Sequence, residues 1–81
     1  MADPTALEPT EIRIALLRDI AAGRVQDDTD HMPMLTVDGE PVPVGTAVWE
    51  MERHDWVGQD CGQQRWEPKP YGRQLLAEAD R

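Results

Sequence analysis

The chain has 81 residues, with 16 acidic against 8 basic side chains and a formal charge of −8. A chain this short has room for one small domain, which buries only about 60% of its unfolded surface and is left with a thin stability margin. A lone Cys61 excludes an internal disulfide; there is no apolar run of about 18 residues to span a membrane, and the charge opposes the phosphate contacts that drive non-specific DNA binding.

The acidity is uneven. Residues 1–40 carry three Arg against nine Asp and Glu, or −6, and residues 41–81 carry five basic against seven acidic residues, or −2. The start, Met1-Ala2-Asp3-Pro4, has neither the basic n-region nor the apolar h-region of a signal peptide, so a cytoplasmic location is expected. Seven Arg to one Lys, with no Ser, Asn or Phe, is an amino-acid usage associated with GC-rich bacterial genomes. Trp49, Trp56 and Trp66 must supply much of the aromatic packing.

In chain order, residues 1–9 lack apolar periodicity and read as a flexible tail, leaving residues 10–81 as a single domain. Thr10 is placed to N-cap a helix over 11–22, Glu11 suits its positive end, and Gly23 stands where a C′ glycine stops it. Ile12, Ile14, Leu16, Leu17, Ile20 and Ala21 cover a wide arc, which predicts burial on more than one side. Arg13 falls inside that arc and is expected to snorkel out rather than to pair. Asp27, Asp28 and Asp30 form a polar interruption that reads as a solvated turn, since the glycine and glutamate of a calcium loop are missing. Met34–Val37, the turn Asp38-Gly39 and Glu40–Val44 then predict a type I′ hairpin. Pro41 and Pro43, two apart, would turn both missing N–H positions to an unpaired edge.

A helix over 46–55 divides into an inward face of Ala47, Met51 and His54 flanked by Val48, and an outward face of Thr46, Glu50 and Arg53. Trp49 lies at the margin, where it is expected either to stack on Arg53 as a cation–π pair or to serve as an aromatic anchor for a partner. Strands from Trp56-Val57 and over Arg65-Trp66-Glu67 flank a turn at 58–64, and Pro70 fits N1 of a helix over 70–79 with Tyr71, Leu75, Leu76 and Ala79 inward. The expected core is Leu16, Ile20, Met51, Trp56, Trp66 and Leu75.

Gly45–Val57 and Arg65–Leu76 thus give the order helix, strand, polar turn, strand, helix, and Pro70-Tyr71-Gly72-Arg73-Gln74-Leu75-Leu76 resembles the "LTPxGRxLL" phrase that opens the last helix of winged helix-turn-helix domains. The resemblance covers about half of the chain. It implies an α+β, winged-helix-like domain of three helices and short antiparallel hairpins, and the chain departs from the family where the hairpin of residues 34–44 stands in place of the second helix. It also implies that the 46–55 helix offers Thr46, Glu50 and Arg53 to a major groove. Lys69 stands where the family has a capping Thr, and Pro68 where it has an apolar strand residue.

Glu50 and Glu52 make that helix a poor groove reader, because carboxylates are repelled by flanking phosphates. Arg65, Lys69 and Arg73 form the local concentration of positive charge suited to a phosphate backbone. His54, Asp55 and Cys61 hold the residue types of a thiol site without its organisation, and His31, His54 and Cys61 lack a metal-ligand spacing. No catalytic residue, metal or cofactor is expected. The reading is a non-enzymatic binding module: a DNA-binding or transcription-associated regulator, or alternatively an acidic protein-interaction adapter or DNA mimic. Its partner would be duplex DNA or a protein of the transcription apparatus, with a homodimer as one way to restore affinity. The candidate contact residues are Thr46, Trp49, Glu50, Arg53, Arg65, Lys69 and Arg73.

Overall fold

The structure, a computed structural model, describes residues 7–59 and 64–81. Most of the expected N-terminal tail, and the tip of the 58–64 turn with Cys61, lie outside the described residues. The elements run α1 (Glu11–Ala21), β1 (Val25–Asp27), β2 (Pro33–Val37), β3 (Glu40–Pro43), α2 (Gly45–Arg53), β4 (Val57–Gln59), β5 (Trp66–Pro68) and α3 (Pro70–Ala79). This is an α+β architecture of three helices and two small antiparallel sheets, β1-β2-β3 and β4-β5. No helix among the described residues is long and apolar enough to cross a membrane.

Local chemistry accounts for the ends of α1. The Thr10 side chain accepts the Arg13 N–H at 3.3 Å. At the other end Gly23 takes φ +79, and its N–H reaches the Ile20 carbonyl at 3.0 Å while the Arg24 N–H reaches that of Asp19 at 3.0 Å. That pair of bonds is a Schellman cap, which satisfies two otherwise orphaned carbonyls and needs a left-handed residue. Ile14, Leu17 and Ile20 are buried along one stripe facing β5 and α3, each contributing roughly 1.5–3 kcal/mol of apolar burial. The expectation of burial on several sides is corrected here: Ile12 is 84% exposed and Leu16 only partly buried. Among the described residues the arc is buried fully only along the Ile14, Leu17 and Ile20 stripe.

Residues 24–44 form a three-stranded sheet. Asp38 and Gly39 both have positive φ, +52 and +83, which is the type I′ turn, and β2 and β3 pair in register from Val37↔Glu40 to Met34↔Pro43. That register sets Pro41 and Pro43 opposite Thr36 and Met34, at positions where a missing N–H costs no ladder bond. β1 is the element the sequence reading lacked. It pairs with β2 through Val25↔Leu35, Gln26↔Met34 and Asp27↔Pro33, and its other edge reaches the second sheet through a bridge Gln26↔Arg65 and an Asp27 N–H bond to the Gln64 carbonyl of 2.8 Å. Asp27 is therefore a strand residue joining two sheets and not part of a solvated turn.

α2 buries Gly45, Val48 and Met51. It ends at Arg53, two residues earlier than expected, because Asp55 adopts φ +63 and a second Schellman pair closes the helix: Trp56 N–H to Met51 O at 3.0 Å and Asp55 N–H to Glu52 O at 3.1 Å. α3 has Pro at its start and no side-chain cap from Lys69. Its buried residues are Gly72 and Leu75. Tyr71, 48% exposed, and the exposed Ala79 are outside the core. The reason lies at Gly72, where a Cβ would fall 2.1 Å from the Trp56 carbonyl oxygen. The close approach at glycine turns the Gly72–Leu75 stripe inward, with Leu76 partly buried beside it. The core is completed by Val25, Val48, Met51, Trp56, Val57 and Trp66.

Candidate functional site

Two surface regions hold the candidate contact residues. The first is built on α2. Helical side chains lean toward the N-terminus of their own helix, and the Trp49 ring does so: its Cη2 and Cζ3 atoms lie 3.1 Å from where a Gly45 Cβ would stand, and the Met32 Sδ lies 2.6 Å from the same point. The indole thus rests on the first turn of α2 with the Met32 thioether at the same point of the backbone. Trp49 remains 38% exposed and lines an apolar cleft with Met32, Pro43, Val44, Thr46 and Ala47. The cleft is about 400 Å³.

Glu50 is in a different position from the one expected. Its carboxylate accepts from the Arg13 guanidinium at 3.0 Å, with both side chains partly covered, while a second Arg13 nitrogen donates to the Glu8 carbonyl at 3.0 Å. Arg13 is therefore an ion-pair partner tying α1 to α2, and Glu50 is held toward α1. The exposed α2 surface left for a ligand is Thr46, Trp49, Glu52 and Arg53. Arg53 has no acidic partner among the described residues.

The second region surrounds β5 and the start of α3, and the three expected cations do not form one patch there. Arg65 and Arg73 line one cleft with Ile20, Trp66 and Leu76. Lys69 lines another with Gly58, Gln59 and Pro70, its Cε 2.8 Å from where a Gly58 Cβ would be. Two of the three are also engaged by acids: Arg65 with Glu67 at 3.5 Å and Lys69 with Asp55 at 3.5 Å. The local concentration of positive charge expected at Arg65, Lys69 and Arg73 is thus divided between two clefts, with Glu67 lining both.

The residues considered for catalysis stay apart in role. Asp55 is an exposed helix-end residue paired with Lys69, His54 is half-buried and His31 exposed, and Cys61 lies outside the described residues. Among the described residues no group of three His, Cys, Asp or Glu side chains is arranged to hold a metal. Asp28 turns its carboxylate inward on its own loop, accepting from the N–H groups of Asp30 at 2.9 Å and Met32 at 3.0 Å.

Sequence reasoning missed Met32, Pro43, Val44 and Gly45 as walls of the Trp49 cleft. The available signal was the glycine four residues before the tryptophan, the spacing at which a helical side chain meets its own first turn. No family model, curated protein or solved structure matches the chain in comparisons with known proteins.

Proposed function

We propose that this chain is a non-enzymatic, winged-helix-like module that has turned its exposed helix toward a protein partner. The observation that carries the reading is Trp49, an exposed indole set on an apolar cleft at the N-terminal half of α2. Desolvated tryptophans flanked by an apolar wall dominate interface energetics, whereas rim charges mainly tune association rate. The order α2, β4, β5, α3 is that of a recognition helix, a wing and a closing helix, and Gly72-Arg73 fits the corresponding phrase of the family.

The partner surface is defined by chemistry: an apolar or aromatic side chain to fill the cleft, flanked by Lys or Arg to complement a chain of charge −8. Pro41 and Pro43 block the free edge of β3, which argues against recognition by strand addition there. The test is to pan a random peptide library on the intact wild-type protein alone and then to measure each enriched peptide on wild type and on Trp49→Ala. Enrichment of peptides with an apolar anchor and basic flanks that bind wild type alone is the expected result; peptides that bind both proteins equally would overturn the reading.

A duplex-DNA regulator is the second reading. It is favoured by the convergence of Arg65 and Arg73 on one cleft and weakened by the acidic partners of Arg65 and Lys69.

A further inference from the structure

The cleft between the end of α1, β5 and α3 combines an apolar floor with an excess of positive charge. Ile20 and Trp66 are nearly fully buried beneath it, and Pro68 and Leu76 add partly covered walls. Arg65, Arg73 and Glu67 also line it, two cationic residues to one acidic. The cleft is about 410 Å³. Arg65 is directed there by Gly23: its Cδ and Nη1 pass 3.5 and 3.6 Å from the position a Gly23 Cβ would occupy, so the aliphatic stem lies along the capped end of α1. The Asp19 and Ile20 carbonyls at that helix end accept from the Arg24 and Gly23 N–H groups.

Only one of the two guanidiniums has an acid. Arg65 meets Glu67 at a long 3.5 Å, and Arg73 has no acidic partner among the described residues. Two cationic residues lining one cleft favour an anion held between them, whose attraction to both offsets their mutual repulsion. Guanidinium groups favour planar carboxylates, which they bind through paired N–H donors. The floor would receive an apolar body attached to that carboxylate.

We propose that this cleft binds a carboxylate carried on an apolar group, the chemistry of either a free aromatic or aliphatic acid or the C-terminal residue of a peptide. Arg73 is the principal donor. Arg65 joins it, and Glu67 acts as an internal competitor that occupies Arg65 when the ligand is absent. The site is separate from the Trp49 cleft on α2, so neither proposal depends on the other.

The test is an NMR titration of the full chain, following the amides of Ala22, Gly23 and Leu76, with 3-phenylpropanoate, its neutral amide, inorganic phosphate, and a tripeptide ending in Leu with a free or an amidated C-terminus. Saturable shifts at these amides with the carboxylate, and not with the amide or with phosphate at equal concentration, are expected. Arg73→Gln should weaken binding about tenfold, the loss of a charge-assisted pair. Glu67→Gln should strengthen binding severalfold by releasing Arg65, an effect that a merely structural role for Glu67 would not produce. A free-carboxylate tripeptide that outbinds phenylpropanoate identifies a peptide C-terminus as the source, and the reverse order identifies a small acid. Equal shifts with the amide, equal shifts with phosphate, or an Arg73→Gln variant that titrates like wild type would each overturn the proposal.

Discussion

The Trp66 indole N–H donates to the Asp27 carboxylate at 2.8 Å, joining the first short strand of one sheet to the returning strand of the other. Gln59 donates to the second oxygen of the same carboxylate at 2.9 Å. A nearly fully buried tryptophan needs a partner for its N–H, and here it is supplied from a residue 39 positions earlier. Asp27→Ala should therefore cost about 1–3 kcal/mol, the penalty of an orphaned buried donor, and Asp27→Asn clearly less because an acceptor remains. Trp66→Ala should cost about 3–5 kcal/mol, enough to unfold a small domain. Urea denaturation of the three variants checks the order; an Asp27→Ala protein as stable as wild type would contradict the role assigned to this bond.

Gly72 is set against the Trp56 carbonyl with no room for a Cβ, and the same carbonyl accepts the Lys69 N–H at 2.9 Å. Because the opposing atom is backbone, it cannot swing aside as a side chain could. Gly72→Ala is expected to cost more than about 2 kcal/mol, at the upper end for overpacked sites, despite the better helix propensity of alanine. A thermal melt at or above the wild-type midpoint would show that α3 can shift freely.

Much of the fold was legible because local signals agreed with one another. Thr10 and Gly23 bracket a helix, Asp38-Gly39 permits one kind of hairpin turn, and Pro70 opens the last helix. What escaped was non-local. Val25–Asp27 is too short to show alternation, and two of its three residues are polar because Asp27 serves the Trp66 indole from across the sheet. Arg13 looked like a snorkelling residue since its partner, Glu50, is 37 positions away. Trp49 was recognisable as a candidate anchor, yet one wall of its cleft comes from Met32, before β2, which the packing of α2 against β2 brings near. The cations Arg65, Lys69 and Arg73 looked like one patch on a spacing of four, but Arg65 precedes β5, Lys69 precedes α3 and Arg73 lies within α3, so Arg65 and Arg73 share one cleft while Lys69 lines another.

Asp55 holds a left-handed conformation, φ +63, at a helix-end position that glycine fills without a Cβ clash. Its ion pair with Lys69 is mostly exposed and worth little. Asp55→Gly should raise stability by roughly 0.5–1 kcal/mol, the relief of the left-handed penalty less the small loss of the pair. Chemical denaturation measures this directly, and a destabilised variant would mean that the contact with Lys69 outweighs the backbone strain.

Arg13 and Glu50 form the one ion pair linking α1 to α2 among the described residues, with side chains 31% and 42% exposed. A double-mutant cycle of Arg13→Ala and Glu50→Ala should return a coupling of about 0.5–1 kcal/mol, at the upper end for partly exposed pairs. A coupling near zero would remove the reason for placing Glu50 outside the ligand-facing surface.

Random-sequence duplex DNA titrated with the wild-type chain at low salt, where phosphate contacts are strongest, should show no saturable binding. Arg65 and Lys69 are already paired with acids, and the net charge of −8 adds long-range repulsion. Binding that weakens with salt by about one unit of slope per phosphate contact would support the regulator reading instead.

The role of Trp49 is decided by the affinity of a basic peptide with an apolar anchor, selected on wild type alone and determined by calorimetry, for wild type, Trp49→Ala and the triple variant Arg65→Ala, Lys69→Ala, Arg73→Ala. If α2 is a protein-binding surface, Trp49→Ala should weaken binding by about 30-fold or more, the loss typical of an interface hot spot, while the triple variant should change it less than about fivefold, as rim charges do. The reverse order, with Trp49→Ala neutral and the triple variant abolishing binding, would contradict the account and move the binding surface to the β5 and α3 side of the domain.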